Sequence, residues 1–158
     1  MLNTLTVPNS RARLGQAESV SPRARRLFGR GMARAQRMQR RAERAGQFRT
    51  LASLSSVDAP VINRHAAGTQ AVALDTIRGS VDKVGSFDAD FLPLVPHVEE
   101  RWVKVATALL HGLDLPPVDL ILVGDTYFVV DGHHRISASR MLGYSHIDAV
   151  VTQWELAG

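Results

Sequence analysis

The chain has 158 residues, 45% of them hydrophobic and 22% charged, which allows one compact core with an extension. It contains no cysteine, which excludes disulfides, thiolate metal sites and cysteine nucleophiles. The net charge of +4 is unevenly held: residues 1–60 carry twelve arginines against Glu18, Glu43 and Asp58, and residues 61–158 carry seven Lys/Arg against twelve Asp/Glu, so the parts stand at +9 and −5.

No apolar run approaches the length of a membrane span, and Met1 to Gln16 lacks the apolar block of a secretory signal. With the absence of cysteine, this fits a cytoplasmic protein. The charge division suggests a basic arm, residues 1–60, joined to a mildly acidic domain, residues 61–158. Such an arm calls for a polyanionic partner or for docking on its own domain.

Met1 to Pro22 mixes Asn, Thr, Ser, Pro and Arg without periodicity and reads as disordered. Ser21-Pro22 has the form of a helix N-cap with proline in the first turn. From Arg23 to about Leu54 an apolar stripe runs through Phe28, Met32, Ala35, Met38, Ala42, Ala45, Phe48 and Ala52. Arg26, Arg30, Arg34, Arg37, Arg41 and Arg44 occupy much of the rest, while Gly29, Gly31 and Gly46 each weaken the helix by roughly 1 kcal/mol. Three readings compete: a helix packing on the domain or on a second copy in a homodimer, contact with DNA or another polyanion, and a membrane-surface or import segment. Ala59-Pro60 and Ala66-Ala67-Gly68-Thr69 read as the connector into the domain.

In the domain, Gln70 to Leu74 reads as a first strand and Gly79-Ser80 as a turn. Phe87 to Pro93 reads as a loop whose two phenylalanines cap the core. His97 to His111 is a helix with Val98, Trp102, Val105, Ala106, Leu109 and Leu110 on one face and Glu99 and Glu100 in its first turn, where the dipole favours them. Trp102 reads as a core residue, and His97 and His111 as exposed. Val118 to Val123 and Tyr127 to Val130, parted by Gly124-Asp125, form a hairpin, and Ile147 to Val151 is the last strand. The order β, α, β-hairpin, α, β predicts an α+β fold, a small mixed β-sheet with helices packed against it.

Asp131-Gly132-His133-His134-Arg135 stands between the hairpin and a helix that stops at Gly143. A glycine turn into a helix start offers backbone N–H groups and the positive end of the dipole to an anion, and an arginine fork adds specificity. Two other readings stay open. The turn could merely close the fold, with Arg135 paired to a carboxylate such as Asp148 and Asp131 capping the helix. Or Asp131, His133 or His134 could hold a metal with His65 or His146, although adjacent histidines on a helix point different ways.

The run Gly132-His133-His134-Arg135-Ile136-Ser137-Ala138, with its hairpin and helix, resembles the signature of the ParB/sulfiredoxin superfamily. There, partition proteins read Gly-Glu-Arg-Arg-x-Arg-Ala and sulfiredoxins Gly-Gly-Cys-His-Arg. The resemblance spans about residues 70–154 and takes in Ile77-Arg78-Gly79-Ser80, Phe87-Asp88, Glu100-Arg101-Trp102, Leu115-Pro116-Pro117-Val118 and Asp148-Ala149-Val150. It implies a phosphate site, since these families hold CTP, ATP or ADP at the turn. By position, Gly132 would let the backbone approach the anion, His133 and His134 would supply N–H donors, Arg135 the charged fork and Ser137 a hydroxyl. Arg78 and Ser80 match the region of a second phosphate- or DNA-facing motif. Asp131 would orient an imidazole or bind magnesium, and Asp131 and His133 would be the catalytic candidates if the protein is an enzyme.

The departures narrow this. His133 stands at the sulfiredoxin cysteine, so sulfinic-acid repair is excluded. No helix-turn-helix domain follows the nucleotide domain in these residues, so ParB-type operator recognition is not implied. The free-serine kinases share an Asp-Gly-His-His-Arg-like turn but use a glutamate near the domain start, whereas Val61 to Leu94 contains only aspartates as acids. The expectation is a ParB-like nucleotide- or phosphate-binding module, regulatory or associated with nucleic acid, taking a nucleoside di- or triphosphate with magnesium. The alternatives are an ATP/ADP-dependent small-molecule kinase, with nucleotide hydrolysis or phosphotransfer as the reaction class, and a non-catalytic protein-interaction domain.

Overall fold

The computed structural model describes residues 19–82 and 84–158, so the disorder expected of the first eighteen residues lies outside the described residues. Six strands form one mixed sheet in the order β1-β3-β5-β4-β6-β2. They are β1 (Ala52–Ser53), β2 (Val61–Ala73), β3 (Ile77–Ser80), β4 (Val118–Val123), β5 (Thr126–Asp131) and β6 (His146–Leu156). The helices are α1 (Pro22–Arg44), α2 (Glu99–Leu110) and α3 (His133–Met141). The α+β architecture expected from the sequence is the one observed. Among the described residues no helix is long and apolar enough to cross a membrane.

Pairing is mixed in direction across the sheet. β1 and β3, β3 and β5, and β4 and β6 run parallel, while β4 with β5 and β2 with β6 run antiparallel. The β4–β5 hairpin turns at Gly124-Asp125 as its dipeptide suggests. α3 then returns the chain to β6, which lies beside β4.

α1 begins as its sequence predicts, with the Ser21 hydroxyl accepting from Ala24 N at 3.4 Å and Pro22 in the first turn. It ends ten residues before Leu54. Gly46 takes φ +68°, its N–H donates to the Glu43 carbonyl, and Gln47 N–H donates to the Ala42 carbonyl at 2.8 Å. This is a Schellman closure, the left-handed exit that glycine adopts at least cost. The apolar stripe therefore stops short, and Phe48 is 81% exposed rather than buried.

α1 docks on the domain. Ala24 and Phe28 belong to the same core cluster as Trp102, Val103 and Ala106 of α2. The Phe28 and Trp102 rings meet edge-on at 5.5 Å, an arrangement worth about 1 kcal/mol beyond area burial. Ser21 N–H donates to Thr107 Oγ1 at 3.1 Å. Gly31 is buried, and a Cβ there would stand 3.1 Å from Pro93 Cδ, so this glycine permits close approach while lowering helix propensity.

Two strand readings need correction. Gly79-Ser80 is not a turn but the end of β3, inside the sheet. Its glycine is required because a Cβ would lie 2.3 Å from the Phe128 ring of the neighbouring strand. The first strand of the domain is not Gln70–Leu74 but Val61–Ala73, so Ala66 to Thr69 belong to a ladder rather than a connector. Residues 62–71 are exposed, and their register slips at Ala66/Gly68, where Gly68 has φ +74°. A ribbon bare on both faces carries no alternating pattern to read. β6 likewise runs past Val151 to Leu156.

Candidate functional site

α3 starts at a glycine because nothing else fits. Gly132 takes φ +119°, and a Cβ there would lie 2.4 Å from Val118 Cγ1 on β4. The turn is thus pressed onto the sheet, and the first turn of α3 leaves the sheet beside the ends of β4 and β5. Gly132 makes no side-chain cap hydrogen bond, and a helix start carries the positive end of the dipole, which favours an anion.

A cavity of about 430 Å³ opens there. It is lined by Asp131, Gly132, His133, His134 and Arg135, by Arg101 and Val105 of α2, and by Leu115-Pro116-Pro117. Five of the residues expected at the site therefore meet around one opening. Arg101 and the proline segment were not anticipated as lining, although both stand in the segments that carry the resemblance. A second cavity of about 470 Å³ shares Leu115, Pro116 and Arg135 and adds Asp114, Tyr144, His146 and Asp148.

Arg135 sits where the two cavities meet. Its Nη1 donates to the carbonyls of Pro116 at 2.6 Å and Pro117 at 3.0 Å, and its Nη2 to Asp131 Oδ2 at 3.2 Å. Three of its five donors thus hold the proline segment and the turn together. Its carboxylate partner is Asp131, not Asp148, and the N-cap is Gly132 rather than Asp131.

The two histidines are placed differently. His133 is 3% exposed, with Nε2 at 2.6 Å from Ser80 Oγ and its ring stacked on Phe87. His134 meets Phe87 edge-on at 5.5 Å and is half-buried. Phe87 and Phe91 are fully buried core members, and Phe87 forms the wall behind both imidazoles. Ser80 thus reaches the turn through His133 from β3. Arg78 is exposed, with Nε donating to the Asp75 carbonyl at 3.1 Å, and does not line the cavity. Ser137 is fully buried and accepts the Trp102 Nε1 hydrogen bond at 2.8 Å, so its hydroxyl serves the α2–α3 contact.

Among the described residues no three His, Asp or Glu side chains converge to hold a metal ion. His65 lies against Glu155 at 3.2 Å on the β2–β6 ribbon. Asp131 is the one carboxylate lining the 430 Å³ cavity, and Arg135 pairs with it. One paired carboxylate does not make a protein cage for magnesium, so such an ion would have to arrive with a phosphate ligand.

No family model matches the chain, and no curated protein matches it either. Among solved structures, it is similar to sulfiredoxin from Arabidopsis thaliana, at 22% identity and a TM-score of 0.40 over 52% of this chain and 82% of that one. It is also similar to two variants of a free serine kinase, one in complex with ADP and one with AMP, each at 22% identity and a TM-score of 0.39. These matches cover 61% of this chain and 34% of the kinase, about a third of its length. Likeness this slight carries no function.

Proposed function

We propose that the start of α3 binds the phosphate groups of a nucleotide. The observation that carries this reading is the 430 Å³ cavity into which a glycine-capped helix start opens between Arg101 and Arg135. Helix N–H groups and dipole favour an anion there, and two guanidinium groups flank the opening. The neighbouring 470 Å³ cavity, reached across Arg135, offers Tyr144, Leu109, Leu113 and Ile147 to a base and sugar, while Asp114 and Asp148 are placed to accept hydrogen bonds. Binding is the function this geometry supports best. Of the two catalytic candidates, His133 is buried against Ser80 and Asp131 is paired with Arg135.

Calorimetric titration with ATP, ADP, CTP and pyrophosphate tests this, using wild type and Arg101→Ala. Arg101 is exposed on α2, so its removal leaves the core intact. The expected result is saturable binding weakened at least about tenfold in the variant, the scale of one charge-assisted hydrogen bond. No binding at millimolar ligand, or equal affinity in the variant, contradicts the reading. Transfer of phosphate to an added amino acid would move the protein to the kinase class.

A further inference from the structure

We propose that α1 presents a sequence-indifferent docking face for duplex DNA, a property independent of the α3 site. From Arg23 to Arg44 an arginine stands every three or four residues, at 26, 30, 34, 37 and 41 between, with Arg40 beside them, and all are exposed. That is one guanidinium per helical turn along about 32 Å, fanned over an arc of about 120° at 3.6 residues per turn. The opposite face is occupied, because Ala24, Phe28, Gly31, Ala35 and Ala42 are buried against the domain.

The charges on this face are largely uncompensated. Glu43 is the only acid in the helix, and it lies on the flank with Arg25, which pairs with Glu99 at 3.8 Å. Asp90 feels Arg34, but its carboxylate is held by Arg49. None of the other arginines of the face forms an ion pair among the described residues. A depression lined by Arg30, Arg34 and Arg37 lies along this face, and toward α3 the positive surface ends where Asp90 pairs with Arg140 at 3.7 Å.

The shape selects the partner. A membrane would need an apolar face to immerse, and that face of α1 is spent on its own core. The major groove of a duplex admits an α-helix and has phosphates on both walls. An arc with Arg26, Arg40 and Arg44 on one flank and Arg23, Arg34 and Arg41 on the other meets both walls. Arginine forks on phosphate oxygens carry no sequence information, so the contact is with the backbone.

Fluorescence anisotropy of the full chain with a labelled duplex of about 24 base pairs, from about 50 to about 200 mM salt, reads this out. The expected log–log salt slope is about −5, since each neutralised phosphate contributes about −0.9. Arg30→Glu with Arg37→Glu should make that slope shallower by about 2 and weaken binding more than tenfold, with thermal melting unchanged, while Arg30→Lys with Arg37→Lys should keep the slope. If the glutamate variant melts early, Arg30→Gln with Arg37→Gln gives the same readout. A slope unmoved by the charge change, no binding at the lowest salt, or tighter binding to anionic phospholipid vesicles than to duplex overturns the proposal.

Discussion

At the scale of single residues, glycine identity is set by what lies opposite. Gly132 faces Val118 Cγ1 at 2.4 Å from where a Cβ would stand, and it also holds a left-handed φ. Gly132→Ala therefore meets backbone strain and a steric clash together, and should cost about 3 kcal/mol in chemical denaturation. A loss under about 1 kcal/mol would mean the turn is not pressed onto the sheet as described. A second residue-scale prediction concerns acid. The Arg49 guanidinium, through its hydrogen bond, holds the Asp90 carboxyl below the ordinary aspartate value of 3.8, against opposition from burial. A depressed folded pKa means that this pair stabilises the fold above the unfolded value and stops doing so as pH falls through the folded one. Asp90→Asn should accordingly flatten the decline in stability below about pH 4. Because Asp90 is nearly half exposed, solvent screening keeps the effect small. An unchanged profile in the variant would show that other carboxylates govern the acid limb.

At the scale of elements, the amphipathic pattern of α1 announced a helix, and its narrow apolar stripe announced a packed face. What that face packs on was not readable, because Phe28 and Trp102 are 74 positions apart. Phe28→Ala should destabilise the fold by about 3 kcal/mol, the scale of an emptied core site. A change of a few tenths would mean that α1 is an appendage rather than part of the core. The helix end shows the opposite limit. Gly46 was visible as a weak point, but the stripe on either side of it argued for continuation, and only the left-handed exit settles the boundary. β3 and the first nine residues of β2, Val61 to Thr69, were missed for separate reasons. Gly79-Ser80 has turn composition yet needs glycine for strand packing, and residues 62–71 cover no core, so no hydrophobic period marks them.

At the scale of the whole molecule, the mixed sheet and its helices follow from the order of elements, and the turn at Gly132 stood out because it joins a strand to a helix. The cavity around it was legible on one wall only. Asp131 to Arg135 are contiguous, whereas Arg101 and Pro116-Pro117 arrive from α2 and from the segment before β4, a convergence that periodicity does not encode. The tertiary structure also redistributes roles within the motif. Arg135 braces the proline segment, His133 joins β3 through Ser80, and Ser137 faces Trp102, which leaves Gly132, His134 and Arg101 most directly at the opening. Division of charge persists at this scale, with an arginine face along α1 and a domain of opposite sign behind it. The central claim, an anion held at the start of α3, is tested most directly by following backbone amide resonances during a nucleotide titration. The account predicts saturable shifts concentrated at Gly132, His133, His134 and Arg135, with smaller ones at Arg101. Shifts confined to α1, or none at saturating nucleotide, would contradict it.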